Sequence, residues 1–220
     1  MPVVTISRRF AAVPAAAWTE LADRLGAELL DRRIVALVAE RAGIPEAEAE
    51  GYDERVPDAW QRIAAALAAG SPDPALPAFP AALLPDAGVH DRMARLTRTV
   101  IEEAAARGNV VIVGRGAACI LGRRPGTLHV ALHAPIAHRV RLLHDRVEEI
   151  PPDVRPDDAS LADLCREMDR RRGDYVRRHF GVEWGDPSLY DLAIETSRLP
   201  LDATIDLMER AARRIDRPDA

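Results

Sequence analysis

Apolar residues follow two alternating rhythms along the 220-residue chain. Short unbroken runs at 3–7 (VVTIS), 109–113 (NVVIV) and 128–132 (LHVAL) have the β-branched character of strands buried on both faces. Between them the apolar positions recur every three or four residues. Trp18, Leu21, Ala22 and Leu25 stand at i, i+3, i+4 and i+7, with Pro14 in the predicted first turn and Gly26 at the end. A brief strand at 28–31 leads to a second helix carrying Ile34, Leu37, Val38 and Arg41, stopped by Gly43. A helical stripe of Trp60, Ile63 and Leu67 extends the pattern over 44–69. Pro72, Pro74, Pro77, Pro80 and Pro85 then predict an extended excursion over 70–88, because proline sustains neither a helix nor a central strand. Met93, Leu96, Val100 and Ile101 resume a helix that ends at Gly108. Further helices are predicted over 136–149, from a Ser160 cap with Asp163 three residues on, and over 201–215 with Ile205, Met208 and Ala212 inward. A last strand covers 190–195. This alternation predicts an α/β fold with a parallel sheet covered by helices on both faces.

Composition narrows what such a fold can do. At 48% hydrophobic and 30% charged, a chain of this length buries a core of its own. A net charge of -5 argues against nucleic acid as a general partner, and the apolar runs fall short of the ~18 residues that read as a membrane span. The opening residues lack the pattern of a signal peptide, so a cytoplasmic location is expected. All 30 basic residues other than histidine are arginines. Without lysine, a G-x-x-x-x-G-K-[ST] phosphate loop and Schiff-base chemistry are impossible. Cys119 and Cys165 have no C-x-x-C spacing, and the six histidines form no H-x-x-x-H pair on one helix, so no metal site is expected.

Four segments carry a family resemblance: TISRRF at 5–10, LLDRRIV at 29–35, VIVGRGA at 111–117 and WGDPSLYDLAIETS at 184–197. Their order and spacing resemble the cytidylate-kinase-like family, a branch of the P-loop nucleoside monophosphate kinases. The resemblance spans nearly the whole chain. It implies one domain over 1–220 built on a five-stranded parallel sheet, with an acceptor-side helical insertion at 44–108 and an arginine-rich helical lid at 159–182. Phosphoryl transfer in such a protein depends on backbone N–H groups around the phosphates, neutralising cations and bound Mg²⁺.

The phosphate loop is where the sequence departs from that pattern. After ISR-x-F the family continues into a glycine-rich GSGGREIA-like turn, and the counterpart here is Ala11, Ala12, Val13, Pro14, Ala15, Ala16, Ala17 and Trp18. A cradle of inward N–H groups needs positive φ values and close backbone approach, which glycine permits. Val13 is stiff, Pro14 has no N–H, Ala15 replaces the family's arginine, and no hydroxyl stands ready for Mg²⁺. Arg115, bracketed by Gly114 and Gly116 after an apolar run, is placed by the resemblance against an acceptor phosphate. Between Arg166 and Arg178, six arginines outnumber Glu167, Asp169 and Asp174 on one predicted helix.

The reading that follows is binding of a nucleotide or other phosphorylated small molecule, with transfer from ATP weak or lost. If transfer persists, Arg115, Arg170 and Asp169 are the catalytic candidates, and ATP with Mg²⁺ the implied cofactors. Ser7, Arg8, Arg170, Arg171 and Arg177 would then face the ATP phosphates, and Asp31, Arg32, Arg115, Asp186 and Asp191 the acceptor. Thr196 is also within reach of that site, whereas Trp184 and Tyr190 read as core anchors. Two alternatives stay open: an active kinase with an atypical loop, and a non-catalytic subunit or homodimer that presents an apolar patch around Trp18, Trp60 or 70–88.

Overall fold

Five strands run parallel in one sheet, in the order β2-β3-β1-β4-β5. The computed structural model describes residues 2–31, 33–43, 87–147 and 155–215. The strands are β1 (Val3–Arg8), β2 (Glu28–Leu30), β3 (Val110–Val113), β4 (Thr127–His133) and β5 (Leu192–Glu195). The helices are α1 (Ala16–Leu25), α2 (Arg33–Ala42), α3 (Ala87–Arg107), α4 (Ala117–Leu121), α5 (Ile136–Val147), α6 (Asp158–Phe180) and α7 (Leu201–Ala212). Arg32, the helix expected over 44–69 and nearly all of the 70–88 excursion lie outside the described residues.

The chain passes from β1 to the outer β2, returns to β3, and then crosses β1 to reach β4 and β5. The connections therefore change direction at β1, and in parallel sheets the crevice for ligands opens at the carboxyl ends of strands at such a point. Register brings those ends together, with Ile6 opposite Val113 and Arg8 opposite Leu132.

Successive side chains of β1 point to opposite faces. Val4 and Ile6 join Trp18 and Leu21 of α1 and Ile205 and Met208 of α7 in one core cluster. Val3 joins Ile34 of α2, Ile101 of α3 and Ile120 of α4 in the second. A third cluster sits beyond the sheet edge, where Phe10 packs between Val140 and Leu143 of α5 and Leu161, Leu164, Cys165 and Met168 of α6. Each large apolar side chain so buried contributes about 1.5–3 kcal/mol.

Several boundaries differ from the sequence reading. The first helix starts at Ala16, so Pro14 precedes it, and its N-cap Ala15 supplies no side-chain bond. α3 begins at Ala87, inside the stretch expected to be extended, because no proline follows Pro85 there. The cap of α6 is Asp157, not Ser160: its carboxylate accepts the Ser160 N–H at 2.8 Å. Its position at the helix N-terminus also holds that carboxyl below its ordinary pKa, chiefly through the Ser160 bond. Tyr190 closes a 3₁₀ turn (Pro187–Leu189), so the last strand begins at Leu192. Trp18 is only 1% exposed, which removes it from any surface patch; Trp60 and 70–86 lie outside the described residues.

Candidate functional site

The turn leaving β1 is folded inward. Phe10, Ala12 and Val13 are buried, and Ala11 adopts φ 55°, a left-handed conformation. Both backbone groups of Phe10 and of Ala12 have partners within the protein. Phe10 N–H donates to Asp169 Oδ1 at 2.8 Å, and Phe10 C=O accepts from Arg139 Nη1 at 3.0 Å. Ala12 N–H donates to Arg9 C=O at 3.1 Å, while Ala12 C=O accepts from Thr196 Oγ1 at 2.6 Å. Arg139 and Asp169 also pair with each other at 2.8 Å, both buried. One turn further along α6, the buried Arg172 donates to Arg8 C=O at 3.1 Å with its guanidinium 5.8 Å from the Phe10 ring. The middle of α6 is thus bound to the exit of β1 by an acid and a base three residues apart on one helix face.

The turn leaving β3 has the opposite construction. Gly114, Arg115 and Gly116 take φ values of 81°, 58° and 66° in succession. Both glycines suit these positive φ values, and close approach by the Phe180 ring adds a steric demand at Gly116. A Cβ at Gly114 would run into the Arg8 guanidinium, and one at Gly116 would overlap the Phe180 ring at the end of α6. Arg8 accordingly lies against this turn, with its guanidinium 5.8 Å from the Trp18 ring. Arg115 itself is half-buried on the turn.

Ser7 serves an aromatic pair. Its Oγ accepts the Trp184 indole N–H at 2.7 Å and lies 3.1 Å from the Tyr190 hydroxyl, which donates to Trp184 C=O at 2.9 Å. Burial raises the Tyr190 pKa, so the phenol stays protonated and available as a donor. Trp184 and Tyr190 are therefore half-buried anchors that tie the segment before β5 to the end of β1.

The other residues singled out from sequence are dispersed. Arg170 is 61% exposed and bonded to Glu167 and Asp174, each at 2.8 Å; Arg171 bonds Glu167 at 2.7 Å. Arg177 joins Glu183 at 2.8 Å and Asp174 at 3.2 Å. The Arg170 and Arg171 bonds hold the Glu167 carboxyl down at about 2, Arg170 contributing most. Asp186 caps the 3₁₀ turn through Ser188 N–H at 2.8 Å. Asp191 sits at the amino end of β5, away from the carboxyl edge, where Oδ2 accepts His129 N–H at 2.8 Å and Arg123 lies 3.3 Å from Oδ1. Asp31 follows β2, its carbonyl accepting Ile34 N–H at 3.2 Å. Among the described residues no group of three or more His, Cys, Asp or Glu is placed to hold a metal ion, and no helix is long and apolar enough to cross a membrane.

Arg139 and the inward role of Arg172 were not selected from sequence. Arg139 occupies an ordinary amphipathic helix, and nothing local marks its side chain as buried. Arg172 carried one available signal, its i+3 spacing from Asp169.

The parallel order β2-β3-β1-β4-β5, with a turn and helix at the exit of the central strand, defines an α/β protein of the P-loop kinase type. Shikimate kinase from Bacteroides thetaiotaomicron superposes with a TM-score of 0.50 at 14% identity, covering 96% of this chain and 98% of that one. An uncharacterized protein from Eubacterium ventriosum superposes with a TM-score of 0.65 at 15% identity, covering 97% and 99%. Within that class, the profile of the cytidylate kinase-like family matches residues 3–198, and the chain belongs to this family. The chain is also 31% identical over 126 residues to a uronate isomerase of Corynebacterium glutamicum, a match covering 57% of this chain and 23% of that protein's length.

Proposed function

We propose that the protein binds a nucleotide or another phosphorylated small molecule at the carboxyl edge of its sheet, with phosphoryl transfer from ATP weak or absent. The observation that carries this reading is the internal engagement of the β1 turn: Phe10 and Ala12 direct their N–H groups to Asp169 and to Arg9 C=O. A triphosphate clamp needs such groups pointing at the ligand. Val13 and Trp18 are buried beside the turn, and no side-chain hydroxyl occurs between Phe10 and Trp18 to meet Mg²⁺. These residues do not fit ATP with Mg²⁺. The β3 turn supports the binding half of the proposal, since Arg115 stands at the switch point with a glycine on each side.

The test is a thermal-shift and calorimetric series with CMP, CDP and ATP, with and without Mg²⁺, on the wild type and Arg115→Ala. Nucleotides are expected to raise the melting temperature modestly, without dependence on Mg²⁺, and Arg115→Ala to remove the rise. Micromolar binding of ATP·Mg²⁺ together with CMP turnover in the ~1–100 s⁻¹ range of kinases would overturn the proposal.

A further inference from the structure

The adjacent arginines at the exit of β1 take different environments. Arg8 lies against Gly114 with its guanidinium 5.8 Å from the Trp18 ring. Arg9 is 42% exposed, and its guanidinium stands 4.8 Å from the centre of the Trp184 ring. That indole is fixed in place, since Ser7 Oγ holds its N–H at 2.7 Å and Tyr190 holds its carbonyl at 2.9 Å. The charge of Arg9 is weakly compensated. Asp169 Oδ2 lies 3.5 Å away, longer than a good hydrogen bond, and the same carboxylate already takes Phe10 N–H and Arg139, each at 2.8 Å. By contrast, Arg170 and Arg177 each have two carboxylates within 3.2 Å.

We infer that Arg9, stacked on Trp184, is an oxyanion-binding residue at the mouth of β1, and that the group it takes is the phosphoryl of a phosphorylated small molecule. The inference rests on the proposed function for its ligand class and adds the residue that recognises the anion. Arg9 falls on the variable position of the ISR-x-F pattern, so the family resemblance gives it no role. Its guanidinium uses a face for the indole and keeps N–H groups along its edge for a bidentate contact with phosphoryl oxygens. Stacking restricts the side chain before the ligand arrives, so less entropy is lost on binding. Ser7 contributes indirectly as a positioning residue, through the indole that it holds.

The probe is inorganic pyrophosphate, titrated into the full chain at constant ionic strength and followed by heat and by tryptophan emission. Saturable binding with an emission change is expected. Trp184→Phe should remove the emission change while heat is still released. Arg9→Gln should weaken binding about tenfold or more, the scale of a lost charge-assisted hydrogen bond. Arg9→Lys should lose most of the affinity as well, because an ammonium has no fork. If Arg9→Gln melts early, Arg9→Lys carries the comparison, since it keeps a cation beside Asp169. Arg115→Ala, run in parallel, separates this inference from the proposed function. Affinity lost in Arg115→Ala but unchanged in both Arg9 variants overturns the inference and leaves the binding reading standing. Affinity lost in the Arg9 variants but kept in Arg115→Ala upholds the inference and overturns the placement of the ligand at Arg115. Absence of pyrophosphate binding to the wild type overturns both.

Discussion

The turns that leave β1 and β3 stand side by side at the carboxyl edge of one sheet, yet they handle their backbones in opposite ways. After β3, two glycines flank Arg115 and all three residues are left-handed, so Arg8 and Phe180 can approach the bare backbone. After β1 no glycine occurs before Gly26, and the turn is held by Asp169, Arg139 and Thr196. Ala11 still takes the left-handed conformation, which costs an L-residue roughly 1–2 kcal/mol. The contrast shows two ways of fixing a turn at one sheet edge, by glycines that admit neighbouring side chains and by buried side chains that bond the backbone. In the second case the N–H groups of Phe10 and Ala12 are taken up within the protein.

That contrast can be broken most severely at Asp169. Asp169→Ala leaves the buried Arg139 guanidinium without its carboxylate and the buried Phe10 N–H without its acceptor, and should destabilise the fold by about 3–5 kcal/mol in denaturant titration. At the other turn, Gly116→Ala combines a left-handed Cβ with a clash against Phe180, for an expected loss of about 1–3 kcal/mol. Combining it with Phe180→Ala should recover the steric share of that loss, and strict additivity of the two variants would rule out the contact. Ala11→Gly should act in the opposite direction. By relieving φ 55° it is expected to gain about 0.5–1 kcal/mol, read as a higher melting temperature.

The smallest effect belongs to the exposed face of α6. The Glu167 carboxyl is lowered from 4.5 to about 2, first by Arg170, so its contribution is complete above pH 4.5 and disappears as pH falls toward 2. Because Arg170 is largely exposed, screening limits this contribution to under about 1 kcal/mol. Melting curves from pH 5 to 2 should therefore differ between wild type and Glu167→Gln by a small amount that vanishes at the acid end.

Much of the frame was legible along the chain. The VVTIS and NVVIV runs became β1 and β3 because continuous β-branched residues suit strands buried on both faces, and the α1 stripe of Trp18, Leu21 and Ala22 packs onto the sheet as its period requires. The absence of glycine from the β1 turn was equally plain. Local pattern was less informative for the charged residues. Arg170, Arg171 and Arg172 are consecutive and chemically alike, but Arg170 is 61% exposed while Arg172 is 7% exposed and donates to the β1 exit. Asp169, a catalytic candidate on the arginine-rich helix, is the buried partner of Arg139, which lies 30 positions away.

The sequence by itself determined the layering of this protein and the chemistry available at its β1 turn, because periodicity and the presence or absence of glycine act through neighbouring residues. Tertiary structure alone decided which charges are buried and which remain at the surface. Arg8 and Arg9 are adjacent and chemically identical, and they separate because Gly114 and Trp18 bound one while Trp184, brought in from a distant segment, holds the other at the carboxyl edge. The physical reason is that desolvation and pairing depend on what surrounds a charge in space, and chain order does not specify those surroundings.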